Sequence, residues 1–208
     1  MCQYVETIKV VNNCALNLAY HNARFIETQA KVFGLVWSEH IEHFLPNVPL
    51  QAEPIKVRIV YDCNGVVETS FETYNRRAIT SLKLVENNEI DYTYKSTNRL
   101  LLNELYAMRQ QESDVLIIKN GLITDTSYCN VALFDGHRYL TPAQPLHKGT
   151  TLTRLLHENK LTSCTISPHN LHQFEFLSPF NAMIEGVAIT TAFPDVSKRL
   201  SSGFTKNL

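Results

Sequence analysis

Three Asn-Gly or Asp-Gly pairs, each set between short apolar runs, constrain this chain more than any other feature. Asn64-Gly65 separates IKVRIVYD from VVETSFETY, Asn120-Gly121 separates DVLIIK from LITDT, and Asp135-Gly136 separates NVALF from HRYLTP. Asn, Asp and Gly tolerate the positive φ that a tight hairpin turn demands, so each pair predicts two antiparallel strands joined directly. Residues 4–11, YVETIKVV, and 78–85, AITSLKLV, add further strands by their alternation.

Helical periods lie between these strands. Asn17 predicts an N-cap for a helix over LAYHNARFIETQAKVF, with Gly34 as its stop. Ser38 predicts a cap for a shorter helix over EHIEHFL, ended by Pro46. Residues 98–110, NRLLLNELYAMRQ, and 149–159, GTTLTRLLHEN, read as helices, and FNAMIEGVAIT contains a last strand. The expected fold is α+β in two parts. Residues 1–92 form a small α/β unit and residues 93–208 a larger strand-rich unit, joined through the segment that holds Lys95.

Charge and composition remove several classes of function. The 208 residues carry 19 basic and 20 acidic side chains, a balance without the electrostatic footprint of a nucleic-acid or membrane-surface binder. No run is apolar enough to span a bilayer, and MCQYVETIKVV lacks the basic start and apolar core of a signal peptide. Cys2, Cys14, Cys63, Cys129 and Cys164 are scattered and odd in number, as reduced thiols of a cytoplasmic protein would be. Neither a G-x-G-x-x-G nor a Walker loop is present. The pairs His40/His43 and His169/His172 have no third ligand at a familiar spacing, so no metal site is expected.

Four places could carry chemistry. Lys95 stands in YTYKSTNRLLL among apolar and aromatic neighbours, with Arg99 four residues on. Desolvation and a nearby cation are what lower an amine's pKa enough for covalent catalysis; a solvated lysine is the bland alternative. It is expected at the end of a strand and the entrance to a helix. Asp125 ends an apolar strand and reads either as a turn residue or as a carboxylate held inward to pair with a cationic ring nitrogen. Gly149-Thr150-Thr151 opens a helix, which suits either a simple cap or a phosphate. Arg24 lies on the first helix, as a phosphate fork or as a surface arginine.

Taken in order, these segments resemble the class IV, or fold-type IV, pyridoxal-phosphate enzymes, which include branched-chain and D-amino-acid aminotransferases and aminodeoxychorismate lyase. The resemblance runs from about residue 4 to 190 through ETIKV…NLAYHNAR, YKSTNRL, ITDTSYCNVALFDGHRYLTP, LHKGTTLTR and FNAMIEGV. It implies a two-domain fold with the cofactor, pyridoxal 5′-phosphate, in the cleft between domains. Lys95 would hold the cofactor covalently. Asp125 would face the pyridine nitrogen with Asn130 supporting its turn. Arg24, Thr150 and Thr151 would bind the phosphate, with Asn181 and Ala182 on the later phosphate side. The family's acid is usually glutamate, one methylene longer than Asp125. The family's opening strands and Gly-Asp-Gly-like stretch have no counterpart before ETI. The NAM and KSTNR segments look nearer to the lyase than to the aminotransferases. The resemblance also implies a homodimer and a small amino-acid-like substrate. A different class of reading is a binding protein that kept the fold without the cofactor.

Overall fold

The computed structural model describes residues 2–184. Its first sheet has the order β2-β1-β3-β4, all antiparallel, from β1 (Tyr4–Val11), β2 (Cys14–Ala15), β3 (Ile55–Asp62) and β4 (Gly65–Thr73). Alternation splits β1 between two environments. Ile8 and Val10 enter a core with Phe25, Val57, Ile59 and Tyr61, whereas Val5 and Thr7 turn towards a large cavity. Helix α1 (Leu18–Phe33) covers the core face through Phe25, whose ring meets Tyr61 edge-on at 4.7 Å. The helix ends at Gly34, whose φ of 68° supplies the left-handed stop.

The remaining strands make two sheets. One has the order β5-β6-β7, from β5 (Leu82–Glu86), β6 (Asp114–Lys119) and β7 (Leu122–Thr126). The other runs β10-β9-β8-β11, from β8 (Asn130–Phe134), β9 (Tyr139–Pro142), β10 (Thr162–Cys164) and β11 (Phe176–Phe180). They share a core in which Leu116, Ile123, Val131 and Leu133 are almost wholly buried. Strand β5 pairs in parallel with β6, while the first sheet is drawn entirely from residues before 74. Helices α2 (Leu100–Ala107) and α3 (Thr150–His157) flank these sheets. The β6–β7 turn is Asn120-Gly121 with φ of 52° and 74°, the doubly positive geometry that the dipeptide predicts.

Local differences from the sequence expectations have identifiable causes. EHIEHFL forms only a 3₁₀ turn, Ile41–Phe44, and His40 rather than Ser38 precedes it. The Ile41 N–H donates instead to Asn22 Oδ1 of α1 at 2.6 Å. The strand expected over 78–85 begins only at Leu82, because the N–H groups of Thr80 and Ser81 both donate to Ser113 Oγ. Lys95 does not follow a strand end directly or open a helix. It lies in an extended segment that touches β1 through one bridge, Tyr4 to Ser96, and α2 starts five residues later. Of FNAMIEGVAIT, Phe180 ends β11 and residues 181–184 form a turn, while the remainder, on which the expected strand falls, lies outside the described residues.

Candidate active site

A cavity of about 510 Å³ opens between the first sheet, the Lys95 segment, β7, and the start of α3. Pairing with the edge of β1 fixes the Lys95 segment: Val5 N–H donates to Lys95 O and Thr97 N–H to Gln3 O, both at 2.9 Å. The lysine side chain thereby stands in the cavity wall. Burial, then the guanidinium groups of Arg24 and Arg99, pull its amine down to about 7.

Asp125, next to the end of β7, is 5% exposed. Its Oδ1 accepts from Asn130 Nδ2 and its Oδ2 from the His147 N–H, each at 2.9 Å. Burial nevertheless pushes the carboxyl up to about 7, against those hydrogen bonds and the Lys95 charge. Asn130 also donates to His147 O at 2.8 Å, tying β8 to the turn before α3. That turn passes so close that a Cβ on Gly149 would collide with Asn130 Oδ1, so only glycine fits there.

Behind the wall lies a polar chain built on Glu6, which is fully buried on β1. Its carboxylate accepts from Arg24 Nε at 2.7 Å, Arg24 Nη2 at 2.6 Å and His21 Nδ1 at 2.6 Å. Burial alone would raise Glu6, but Arg24 and His21 outweigh it and hold the group at about 2. The donors then fix both imidazole tautomers. Arg24 can only donate, so His147 Nε2 accepts from Arg24 Nη1 at 2.8 Å and His147 Nδ1–H donates to Thr93 O at 3.1 Å. Burial and the neighbouring cations hold His147 well below its ordinary value, which keeps it neutral. His21 gives its Nδ1–H to Glu6, leaving Nε2 to accept from Thr150 Oγ1 at 3.4 Å.

Of the residues singled out in the sequence, Arg24, Lys95, Asp125, Asn130, Thr150, Asn181 and Ala182 all line this one cavity. Thr151 does not. It is buried, and its Oγ1 has no hydrogen-bond partner among the described residues. Asn181 steadies the wall by donating to Cys129 Sγ at 3.2 Å and accepting from Met183 N–H at 2.9 Å. Sequence reasoning missed Glu6, His21 and His147. A signal for Glu6 existed: it shares a strand face with Ile8 and Val10, where a carboxylate has to be paired. Nothing comparable marked His147. Among the described residues no three His, Cys, Asp or Glu side chains group as metal ligands, and no helix is long and apolar enough to cross a membrane.

Comparison with known proteins bears on the family and the fold. The sequence profile of amino-transferase class IV matches residues 3–191. An uncharacterized protein of Haemophilus influenzae is 31% identical over 182 residues, which are 86% of this chain and 96% of that protein. A crystal structure from Haemophilus somnus, of a protein provisionally assigned as a 4-amino-4-deoxychorismate lyase, superposes with a TM-score of 0.84 at 26% identity, over 89% of this chain and 98% of that one. The PLP-bound form of a hypothetical aminotransferase from Mycobacterium tuberculosis shares the fold, with a TM-score of 0.70 at 14% identity, over 88% and 78% of the two chains. With a profile match over nearly the whole described length, a relative above 30% identity and a shared α+β fold, the chain belongs to the class IV aminotransferase family, whose members are pyridoxal-phosphate enzymes.

Proposed function

We propose that this chain binds pyridoxal 5′-phosphate through Lys95 and acts as a 4-amino-4-deoxychorismate lyase, releasing 4-aminobenzoate and pyruvate. The observation that carries the cofactor assignment is a lysine amine held near 7 in the same cavity wall as a buried carboxylate. The lyase assignment draws its support from the 26% identity to the provisionally assigned Haemophilus somnus protein across nearly the whole of both chains.

The residues present fit the cofactor. Of the five N–H donors of Arg24, two are taken by Glu6 and one by His147, which leaves two for a phosphate. The start of α3 supplies more, because the N–H groups of its first turn, from Thr150 on, have no partner within the helix. The unpartnered, buried Thr151 Oγ1 follows directly in the same turn of helix.

When bound, pyridoxal phosphate supplies an aldehyde that condenses with an amine and a ring that withdraws electrons from the carbon bearing it. Lys95 would be the point of attachment. Once displaced by the substrate amine, its Nζ would take the proton from that carbon, a transfer suited to an amine that titrates near 7. In the lyase reaction the neighbouring C–O bond then breaks. The enolpyruvyl oxygen leaves with the electron pair and gains a proton, and the ring left behind becomes aromatic. Asp125, steered by Asn130 and the His147 N–H, would keep the ring nitrogen protonated.

Visible absorption before and after borohydride, followed by peptide mapping, tests the attachment. A yellow protein whose band vanishes, with the pyridoxyl group on Lys95, supports it; a protein that stays colourless with added cofactor would mean a binding protein instead. Incubation with aminodeoxychorismate beside branched-chain and D-amino acids then separates lyase from aminotransferase. Lys95→Ala should abolish turnover on any of these substrates. We further propose, from the family resemblance, a cytoplasmic homodimer, which light scattering would check.

A further inference from the structure

The chain as a whole is nearly neutral, yet its cavity is not. Among the described residues six cationic side chains line it, Arg24, Lys56, Arg58, Arg77, Lys95 and Arg99, against the single carboxylate of Asp125. Most of them are already occupied. Arg24 is paired with Glu6, Lys56 with Glu72 and Arg77 with the buried Asp114. The fork of Arg99 is held by the Tyr92 hydroxyl at 3.2 Å and the Ser127 carbonyl at 2.7 Å. Lys95 is engaged by the reaction proposed above. Arg58 is left: it makes no hydrogen bond or ion pair among the described residues. Glu72 feels its charge only at longer range and is bonded to Lys56.

Arg58 is placed by strand alternation, not by a mobile loop. On β3 it follows the buried Val57 and precedes the buried Ile59, so its side chain leaves the sheet on the cavity face. Directly across are Thr7 on β1, which also lines the cavity, and Ser70 on β4, neither of which is acidic. Lys95 bonds to the other edge of β1 at Val5, whereas Arg58 pairs with Thr7, so the two backbones lie two strand spacings across and two residues along the sheet, about 12 Å apart. A ligand held at both ends therefore carries its anion well away from its amine.

We propose that Arg58 is a specificity-determining residue that recognises a carboxylate borne by the substrate remote from the reacting nitrogen. The site is accordingly built for an amine with such a second anionic group and not for amino acids with apolar side chains. This rests on the reading of Lys95 as the reacting end of the cavity. A guanidinium without a prior partner is available for a bidentate pair, which separates anionic from neutral groups by both charge and geometry.

The test uses the cofactor-loaded protein, with benzamide and benzoate as a neutral and an anionic probe of the same shape, titrated by calorimetry at one fixed ionic strength. The wild-type protein should bind benzoate tighter by about tenfold or more, the scale of one hydrogen-bonded charge pair. Arg58→Ala should erase that preference while leaving benzamide affinity and cofactor uptake unchanged, and Arg58→Lys should retain part of it. Equal affinities in the wild type, or a preference that survives Arg58→Ala, would show an ordinary solvated arginine and overturn the proposal. Failure of the cofactor assignment would appear separately, as absence of the absorbing adduct on Lys95. The same titration on cofactor-free protein would then still decide the role of Arg58.

Discussion

Lys95 makes no hydrogen bond or ion pair through its amine among the described residues, so its low pKa comes from burial and from the cations near it. Holding the amine in this way costs stability, and the cost depends on pH. An unfolded lysine titrates near its ordinary value of 10.5 and the folded one near 7, so the penalty is absent above about 10.5. It grows as pH drops through this range and is complete below about 7. Lys95→Met keeps the apolar stem and removes the desolvated charge, leaving no partner stranded. In the cofactor-free protein this variant should melt several degrees above wild type at pH 6, with the gain shrinking towards pH 10, while cofactor attachment is lost. Melting curves at the two pH values check it, and an equal shift at both would mean that the buried charge is not what destabilises the wild type. A more stable but inactive variant is what a strained functional group produces.

At the scale of elements, the site depends on how closely the turn before α3 approaches β8. Gly149→Ala would drive a Cβ into Asn130 Oδ1, and Asn130 is what links Asp125 to the His147 carbonyl. The variant should keep its far-ultraviolet spectrum and lose cofactor affinity by about tenfold or more, the order expected for one disrupted hydrogen bond to a charged group. Equilibrium titration with pyridoxal phosphate reads this directly. The same region shows what the sequence does and does not reveal. Asn120-Gly121 names its own hairpin because the constraint is local, two consecutive positive φ angles. The helix over Leu18–Phe33 is equally legible from its period and its glycine stop. Lys95, Asp125 and Gly149 stand in recognisable segments, but their meeting depends on contacts between segments more than twenty residues apart. His147 is the clearest loss: its role comes from a backbone N–H and an imidazole that serve two distant partners, which no local pattern encodes. EHIEHFL misleads for the opposite reason, since a long-range bond to Asn22 overrides a reasonable local helix signal.

Across the whole molecule, Glu6 joins parts that the sequence sets far apart. It holds α1 to β1 through Arg24 and His21, and those two side chains reach on to His147 and Thr150 at the start of α3. The first sheet and the strand-rich remainder are therefore coupled through one buried carboxylate. Its folded pKa of about 2 lies below the ordinary 4.5, so its stabilisation is fully present above about 4.5 and disappears as pH falls towards 2. A shift of that size corresponds to about 3 kcal/mol, comparable to the loss on breaking a buried ion pair by removing one member. Glu6→Gln keeps the volume but leaves Arg24 without its counter-charge. Urea unfolding at pH 7 should show the variant weaker by about 3 kcal/mol. Below pH 4.5 the wild type should lose stability faster than the variant, so the two curves converge as pH approaches the folded value of about 2. Parallel curves across that window would mean that the charge of Glu6 contributes nothing to the coupling. A variant that unfolds in two steps would identify Glu6 as what makes the sheets unfold as one, because the halves would then separate before either core melts.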